Sequence, residues 1–328
     1  MFGTIQPRNF LYKVRSYGSY DVFDRKLKLV QRNRAIQSPK SDNVQYLRNE
    51  IAKKTIERLS FIKRPLSQLL DLGSSSGNFE EQLVSSDEED FKLVRSRLEK
   101  ITMTDSSEEI LNKWIDRPFN KQLNIERIHV DEENLDKKVQ SASYDAVISN
   151  LILHWTNELP GVFENISSVL KPDGLFLGSM LCEDTVFELR TSIQLAELER
   201  RGGITPRFSP LVKVNDVSTL LKKAKFNLVT IDIEEIVVIY PDIFTIIEDL
   251  RLMGEQRANL VGSSPFTPDL LLASQEIYKA LHGEKMNNET VLPLTFRVLF
   301  MVGWKESDSQ PKPIERGSGE INLSEFLH

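Results

Sequence analysis

Leu69-Leu70-Asp71-Leu72-Gly73-Ser74-Ser75-Ser76-Gly77-Asn78 is a short apolar run that breaks into small residues. It reads as a first parallel strand ending in a ligand-binding turn. Bulky side chains would keep that backbone away from a nucleotide-like ligand, whereas Gly73 and Gly77 permit close approach and positive φ. An ordinary strand-to-helix turn would look the same, and two glycines alone are a weak signal. The turn gains weight from the strands that follow it.

Each of those strands ends in polar residues. The run 97–105 closes on Asp105, and Ser106-Ser107-Glu108-Glu109 then opens a helix with capping-box spacing. The run 125–131 closes on Asp131-Glu132, and 144–153 is continuous enough for a strand buried on both faces. Ligands of open α/β sheets sit outside the carboxyl ends of the strands. An acid there can accept hydrogen bonds from a ribose diol, and a second can meet an adenine amino group.

The order D-L-G-x-x-x-G, Asp105, Asp131-Glu132, Tyr144-Asp145 and Leu170-Lys171-Pro172-Asp173-Gly174 resembles a class I S-adenosylmethionine-dependent methyltransferase. More specific motifs lie downstream: Leu153-His154-Trp155-Thr156-Asn157-Glu158-Leu159-Pro160, Asp184-Thr185 through Leu189-Arg190, Gln194-Leu195-Ala196-Glu197, Gly202-Gly203, and Glu248-Asp249-Leu250 through Met253-Gly254-Glu255. With Gly303-Trp304-Lys305 and Glu315-Arg316-Gly317-Ser318, they resemble the mitochondrial complex I assembly factor 5 family across Tyr20 to Ser318. The resemblance implies a methyltransferase-fold protein of the mitochondrial matrix, peripheral to the inner membrane, that hydroxylates an arginine of a complex I subunit and works among other assembly factors.

The expected architecture is α/β: a Rossmann-like class I methyltransferase fold with a seven-stranded, mostly parallel sheet, one antiparallel strand, and helices on both faces. The last two long β-branched runs, 228–240 and 291–305, complete the strand count. Between them, helices at 242–256 and 267–282 form an insertion near 242–283 that is expected to cover the active-site side. Residues 21–306 would be this one domain, and 307–328, rich in Ser, Pro, Gly and charge, a flexible tail. Residues 1–20 carry Arg8, Lys13 and Arg15, no acid, and interleaved apolar side chains, the composition of a mitochondrial presequence or of a disordered basic tail. Residues 21–34 are basic and weakly amphipathic, either a solvated lead-in or a lid over the cofactor. The step from Gly77 to Asp105 is 28 residues where a compact βαβ unit would need about 20, so the acidic run 85–90 is expected to be an inserted surface loop.

Composition bounds the rest. Of 328 residues, 40% are hydrophobic and 27% charged, as in soluble globular proteins. A net charge of −6 argues against a nucleic-acid partner. The single cysteine, Cys182, allows neither an internal disulfide nor a thiolate zinc cage and reads as a small buried residue. No apolar run reaches the length of a membrane span.

If S-adenosyl-L-methionine binds, the resemblance puts Asp105 on the ribose, Asp131 and Glu132 at the adenine end, and Asp71 with the turn of Gly73, Ser75 and Gly77 at the methionine end. Ser75 stands where family members carry a third glycine, which puts cofactor affinity in question. His154 and Trp155 follow the fourth strand, where a transferred group would meet its acceptor. His154 could act as general base and Trp155 could stack on a guanidinium, or the two could be an aromatic pair under the insertion. His129-Val130-Asp131 has H-x-D spacing, but a second histidine would have to come from His154 or His282, and no metal site is expected. Three readings result: an arginine hydroxylase, which rests on the resemblance; an S-adenosylmethionine-dependent methyltransferase, which rests on the fold motifs; and a non-catalytic assembly chaperone, favoured by Ser75 and the acidic run.

Overall fold

The computed structural model describes residues 21–262 and 265–311. The proposed presequence, residues 312–328 of the tail and the motif Glu315-Arg316-Gly317-Ser318 lie outside them. Two helices precede the sheet. In α1 (Arg25–Gln37) the Asp24 carboxylate accepts from the Leu27 N–H as N-cap. Helix α2 (Tyr46–Ser60) buries Leu47, Ile51, Ile56 and Leu59 on one stripe. The chain continues through β1 (Gln68–Leu72), α3 (Asn78–Ser85), α4 (Glu89–Arg97), β2 (Lys100–Asp105), α5 (Glu108–Leu111), α6 (Phe119–Gln122), β3 (Ile125–His129) and β4 (Tyr144–Asn150). It then runs through α7 (Leu159–Val169), β5 (Leu170–Leu181), α8 (Phe187–Arg201), α9 (Val214–Lys223), β6 (Phe226–Tyr240), α10 (Ile243–Leu252), α11 (Pro268–His282), β7 (Glu284–Met286) and β8 (Glu289–Lys305).

The main sheet has the order β3-β2-β1-β4-β5-β8-β6. Strands β1 to β5 pair in parallel, and β8 runs antiparallel to both β5 and β6. This is the expected Rossmann-like order with its one reversed strand. An eighth strand, β7, forms a short hairpin with the start of β8. Alternate residues of β1 feed opposite cores: Leu70 and Leu72 pack with α7 and α9 residues such as Phe163, Val217 and Leu221, and Leu69 packs with Ile56, Phe79 and Phe91 of α2, α3 and α4. Each fully buried leucine contributes about 1.5–3 kcal/mol, so a one-residue slip of β1 would be costly. Strand order reverses between β1 and β4, which places the crevice at their carboxyl ends.

Two expectations change. The long step from β1 to β2 holds two helices, because Phe91 and Val94, just past the acidic run 85–90, pack into the core and draw Glu89 and Asp90 into α4. Only residues 86–88 remain as loop. The tail also starts later than residue 307: Gln310 is buried, donating to the Asp173 carboxylate and the Lys305 carbonyl while accepting from Asn227. No helix among the described residues is long and apolar enough to cross a membrane.

Candidate functional site

The turn after β1 is held in a conformation that only some residues tolerate. Gly73 has φ +70°, and a Cβ there would lie 2.5 Å from Ile152 Cγ2; Gly77 has φ +98°, with Phe119 Cζ 2.8 Å from its would-be Cβ. The close approach that these glycines allow is therefore to neighbouring side chains. Ser75 takes up φ 55° without being glycine, and its N–H donates to Asp105 Oδ2 at 3.1 Å.

Asp105, at the end of β2, has no exposed surface. Its Oδ1 accepts from the Ser107 N–H at 2.8 Å and its Oδ2 from Arg32 at 2.7 Å. Arg32 comes from α1, which lies across the crevice rather than in solvent. One turn further back, Lys28 is equally buried, and at the start of the helix Arg25 bridges Asp131 at 3.0 Å, Glu132 at 2.6 Å and Glu133 at 2.8 Å. Positions 25, 28 and 32 share one helix face. Thus Asp105, Asp131 and Glu132 are brought to one side of the sheet, and a cationic stripe of α1 covers them. Arg25, Lys28, Leu29 and Arg32, together with Glu132, Ile152 and Trp155, line a pocket of about 140 Å³.

At the opposite end of the crevice, Asp71 and Glu80 are buried together. Desolvation and mutual repulsion raise the Asp71 carboxyl well above its ordinary range, and burial pushes Glu80 up to about 7. Asp71 Oδ1, Ser74 Oγ, Asn78 Oδ1 and Asn150 Nδ2 are buried without a hydrogen-bond partner. They share a cleft with Arg48 of α2, whose charge burial disfavours. Acceptors and donors so placed match the ammonium and carboxylate of an amino-acid head.

His154 and Trp155 form a turn just past β4, both buried. Both donate or bond to one carboxylate that the sequence did not single out: Glu255 Oε2 lies 2.9 Å from Trp155 Nε1 and 3.1 Å from His154 Nε2. His154 Nδ1 is buried without a partner. Despite burial, His154, Lys28 and Arg48 hold the Glu255 carboxyl down to about 2. Arg48 reaches its other oxygen at 3.4 Å. The face of Trp155 expected to receive a guanidinium carries the Lys28 ammonium, 3.2 Å from the ring centroid.

A mostly apolar cavity of about 290 Å³ opens beside this cluster, bounded by Trp155, Leu189, Phe208, Leu250, Glu255 and Phe296 among others. His129 and Asp131 do not converge: the imidazole meets the Ser106 carbonyl and Asp131 meets Arg25. No group of three or more metal-ligating side chains gathers among the described residues. Cys182 is buried at the end of β5, its thiol pushed up to about 11 by burial.

Arg32, Arg48 and Glu255 complete the cluster, and none of the three was assigned a role in the sequence. A basic residue in a polar helix gives no signal until its partner is known. Glu255, in Met253-Gly254-Glu255, was legible only as part of a family motif.

Residues 44–231 match the Methyltransferase domain family. The chain is 38% identical over 93% of its length to the mouse protein named arginine-hydroxylase NDUFAF5, mitochondrial, covering 84% of that protein. It is 36% identical to its human counterpart over 93% of this chain and 83% of that one. Among solved structures, the YcgJ protein of Bacillus subtilis superposes with a TM-score of 0.50 at 12% identity, covering 79% of this chain and 99% of that one. The sheet order and the near full-length similarity agree, and the chain belongs to the NDUFAF5 arginine-hydroxylase family, built on a methyltransferase fold.

Proposed function

We propose that this protein is a mitochondrial protein arginine hydroxylase that modifies a subunit of respiratory complex I during assembly, as a matrix protein peripheral to the inner membrane. The observation that carries the reading is identity of 38% across 93% of the chain with a relative named arginine-hydroxylase. The test is the modification state of complex I arginines in cells with and without this chain. An oxygen that disappears with the chain supports the reading, and an unchanged set of modifications contradicts it.

The same reading gives the crevice to S-adenosyl-L-methionine. Asp71, Ser74, Asn78, Asn150 and Arg48 would take the amino-acid head, because four of them hold buried polar atoms without partners. Asp105 would accept the ribose hydroxyls, and Asp131 and Glu132 would meet the adenine side. The space at the amino-acid end is about 10 Å³ in this conformation, so binding there requires its walls, Arg48 and Ala52 of α2 among them, to move apart. When bound, the sulfonium would supply an electrophilic methyl group.

On the acceptor side, His154 would hold or take up a proton at Nδ1, the atom left without a partner, while Glu255 fixes the ring through Nε2. Trp155, locked by the same carboxylate, would present its ring face to the substrate and exclude water. S-adenosylmethionine-dependent methyl transfer is the second reading, and it rests on the methyltransferase fold. Its signature would be an arginine that loses methyl instead of oxygen in cells without the chain.

A further inference from the structure

The Lys28 ammonium ties α1 to the loop that follows α10. It donates to the Gly254 carbonyl at 3.0 Å and to the Gln256 carbonyl, and lies over the Trp155 ring at 3.2 Å. The carboxylate of Glu255, between those two carbonyls in the chain, is oriented by His154 and Trp155 and remains ionised. Gly254 sits in the left-handed region, with φ +78° and Arg32 Cγ 3.2 Å from its would-be Cβ, so α1 packs directly on this loop.

This is a cation cage: an aromatic face and two carbonyl acceptors, with the buried Glu255 carboxylate near enough to act on the charge through space. The Lys28 ammonium is well partnered there, and what works against it is burial of a charge that it can lose. Desolvation brings Lys28 down to about 7, Glu255 favours its charged form, and Arg32 of α1 and Arg48 of α2 oppose it. A guanidinium has the complementary properties. It keeps its charge at any physiological pH, lies flat on an indole, and presents a planar fork of donors to carbonyls on either side. The cage also adjoins His154, where the site described above would act on its substrate.

We infer that this cage is the recognition site for the guanidinium of the target arginine, and that Lys28 is a resident stand-in which the substrate displaces as α1 moves outward. The inference rests on the arginyl-substrate reading and adds where the side chain sits. Glu255 and the carbonyls of Gly254 and Gln256 are its specificity determinants. Lys28 lowers apparent affinity by the fraction of molecules in which it fills the cage. Because losing its proton makes it easier to displace, arginine binding strengthens as pH rises through neutrality.

The test is calorimetric titration of the full chain with a blocked Gly-Arg-Gly peptide and with its citrulline counterpart, which has the same shape and no charge. The arginine peptide is expected to bind at least about tenfold tighter. Its affinity should rise between pH 6 and 8 in the wild type. In Lys28→Met it should be higher by about tenfold at pH 6 and show less pH dependence. His154 and Glu255 are common to both proteins, so the difference between the two profiles isolates Lys28. Equal binding of the two peptides, or a wild-type affinity that does not change with pH, overturns the inference, and both arms use the wild type alone should Lys28→Met fail to fold. Equal binding with arginine oxidation intact in cells would fault the cage and spare the hydroxylase reading. Charge-selective binding with no oxidation would do the reverse.

Discussion

Arg32 and Asp105 form an ion pair of 2.7 Å in which neither side chain is more than 6% exposed. One carboxylate thereby joins α1, the turn after β1 and the start of α5, through Arg32, the Ser75 N–H and the Ser107 N–H. The acid expected to hold a ribose is also a structural centre, and its two roles need separate tests.

Asp105→Asn should lower stability by about 3 kcal/mol in urea unfolding, since it leaves Arg32 as an unpaired buried charge. Adding Arg32→Met should restore most of that loss. S-adenosylmethionine affinity, read by calorimetry, should fall in both proteins. Recovery of affinity along with stability in the double variant would remove Asp105 from cofactor binding.

Stability should vary with pH in two limbs. Glu80 is raised in the fold to about 7, so its contribution is complete below its unfolded value near 4.5 and is lost as pH rises towards 7. Lys28 is depressed to about 7, so its contribution is complete above its unfolded value near 10.5 and is lost as pH falls towards 7. Thermal melts should therefore show a minimum near neutrality, with the acid limb worth at most about 3 kcal/mol and the alkaline limb at most about 5 kcal/mol. Glu80→Gln should flatten the acid limb and Lys28→Met the alkaline one. A melting temperature that both variants leave with the wild-type pH profile would contradict this.

The turn makes a paired expectation. Gly73→Ala would put a methyl group 2.5 Å from Ile152 Cγ2 at a positive φ, and should cost about 2 kcal/mol or more. Ser75→Gly, at φ 55°, relieves a left-handed serine and should raise stability by no more than about 1 kcal/mol, because the glycine also loosens the unfolded chain. Differential scanning calorimetry distinguishes the two signs.

The strands were legible because parallel strands buried on both faces read as largely apolar runs, as in Ala146 to Ile148 and, with Asp71 as the one exception, Leu69 to Leu72. The α1 helix was not legible in the same way. Its Arg25, Lys28 and Arg32 look like a solvated face, and only the folded chain brings Glu132, the Gly254 carbonyl and Asp105 to meet them. Hydrophobic periodicity carries no information about a charge that finds its partner, a carboxylate or a backbone carbonyl, across 73 or 226 residues of sequence. The acids Asp105, Asp131 and Glu132 were found because strand ends define where ligands bind. Glu255 came from the insertion, whose placement no local pattern sets.

Residues 1–20 are expected to act as an address. A reporter fused to Met1–Tyr20 should be recovered in mitochondria, and the chain without that segment should melt at the same temperature as the full chain. Cytosolic reporter, or a lowered melting temperature, would contradict the assignment.

The hydroxylase reading is tested most directly by peptide-resolved mass spectrometry of complex I subunits from cells fed methionine with a deuterated methyl group, with and without this protein. One arginine should carry an added oxygen and no deuterium when the protein is present, and neither when it is absent. A deuterated methyl group on arginine that depends on the protein, or an oxygen that persists without it, would contradict the reading.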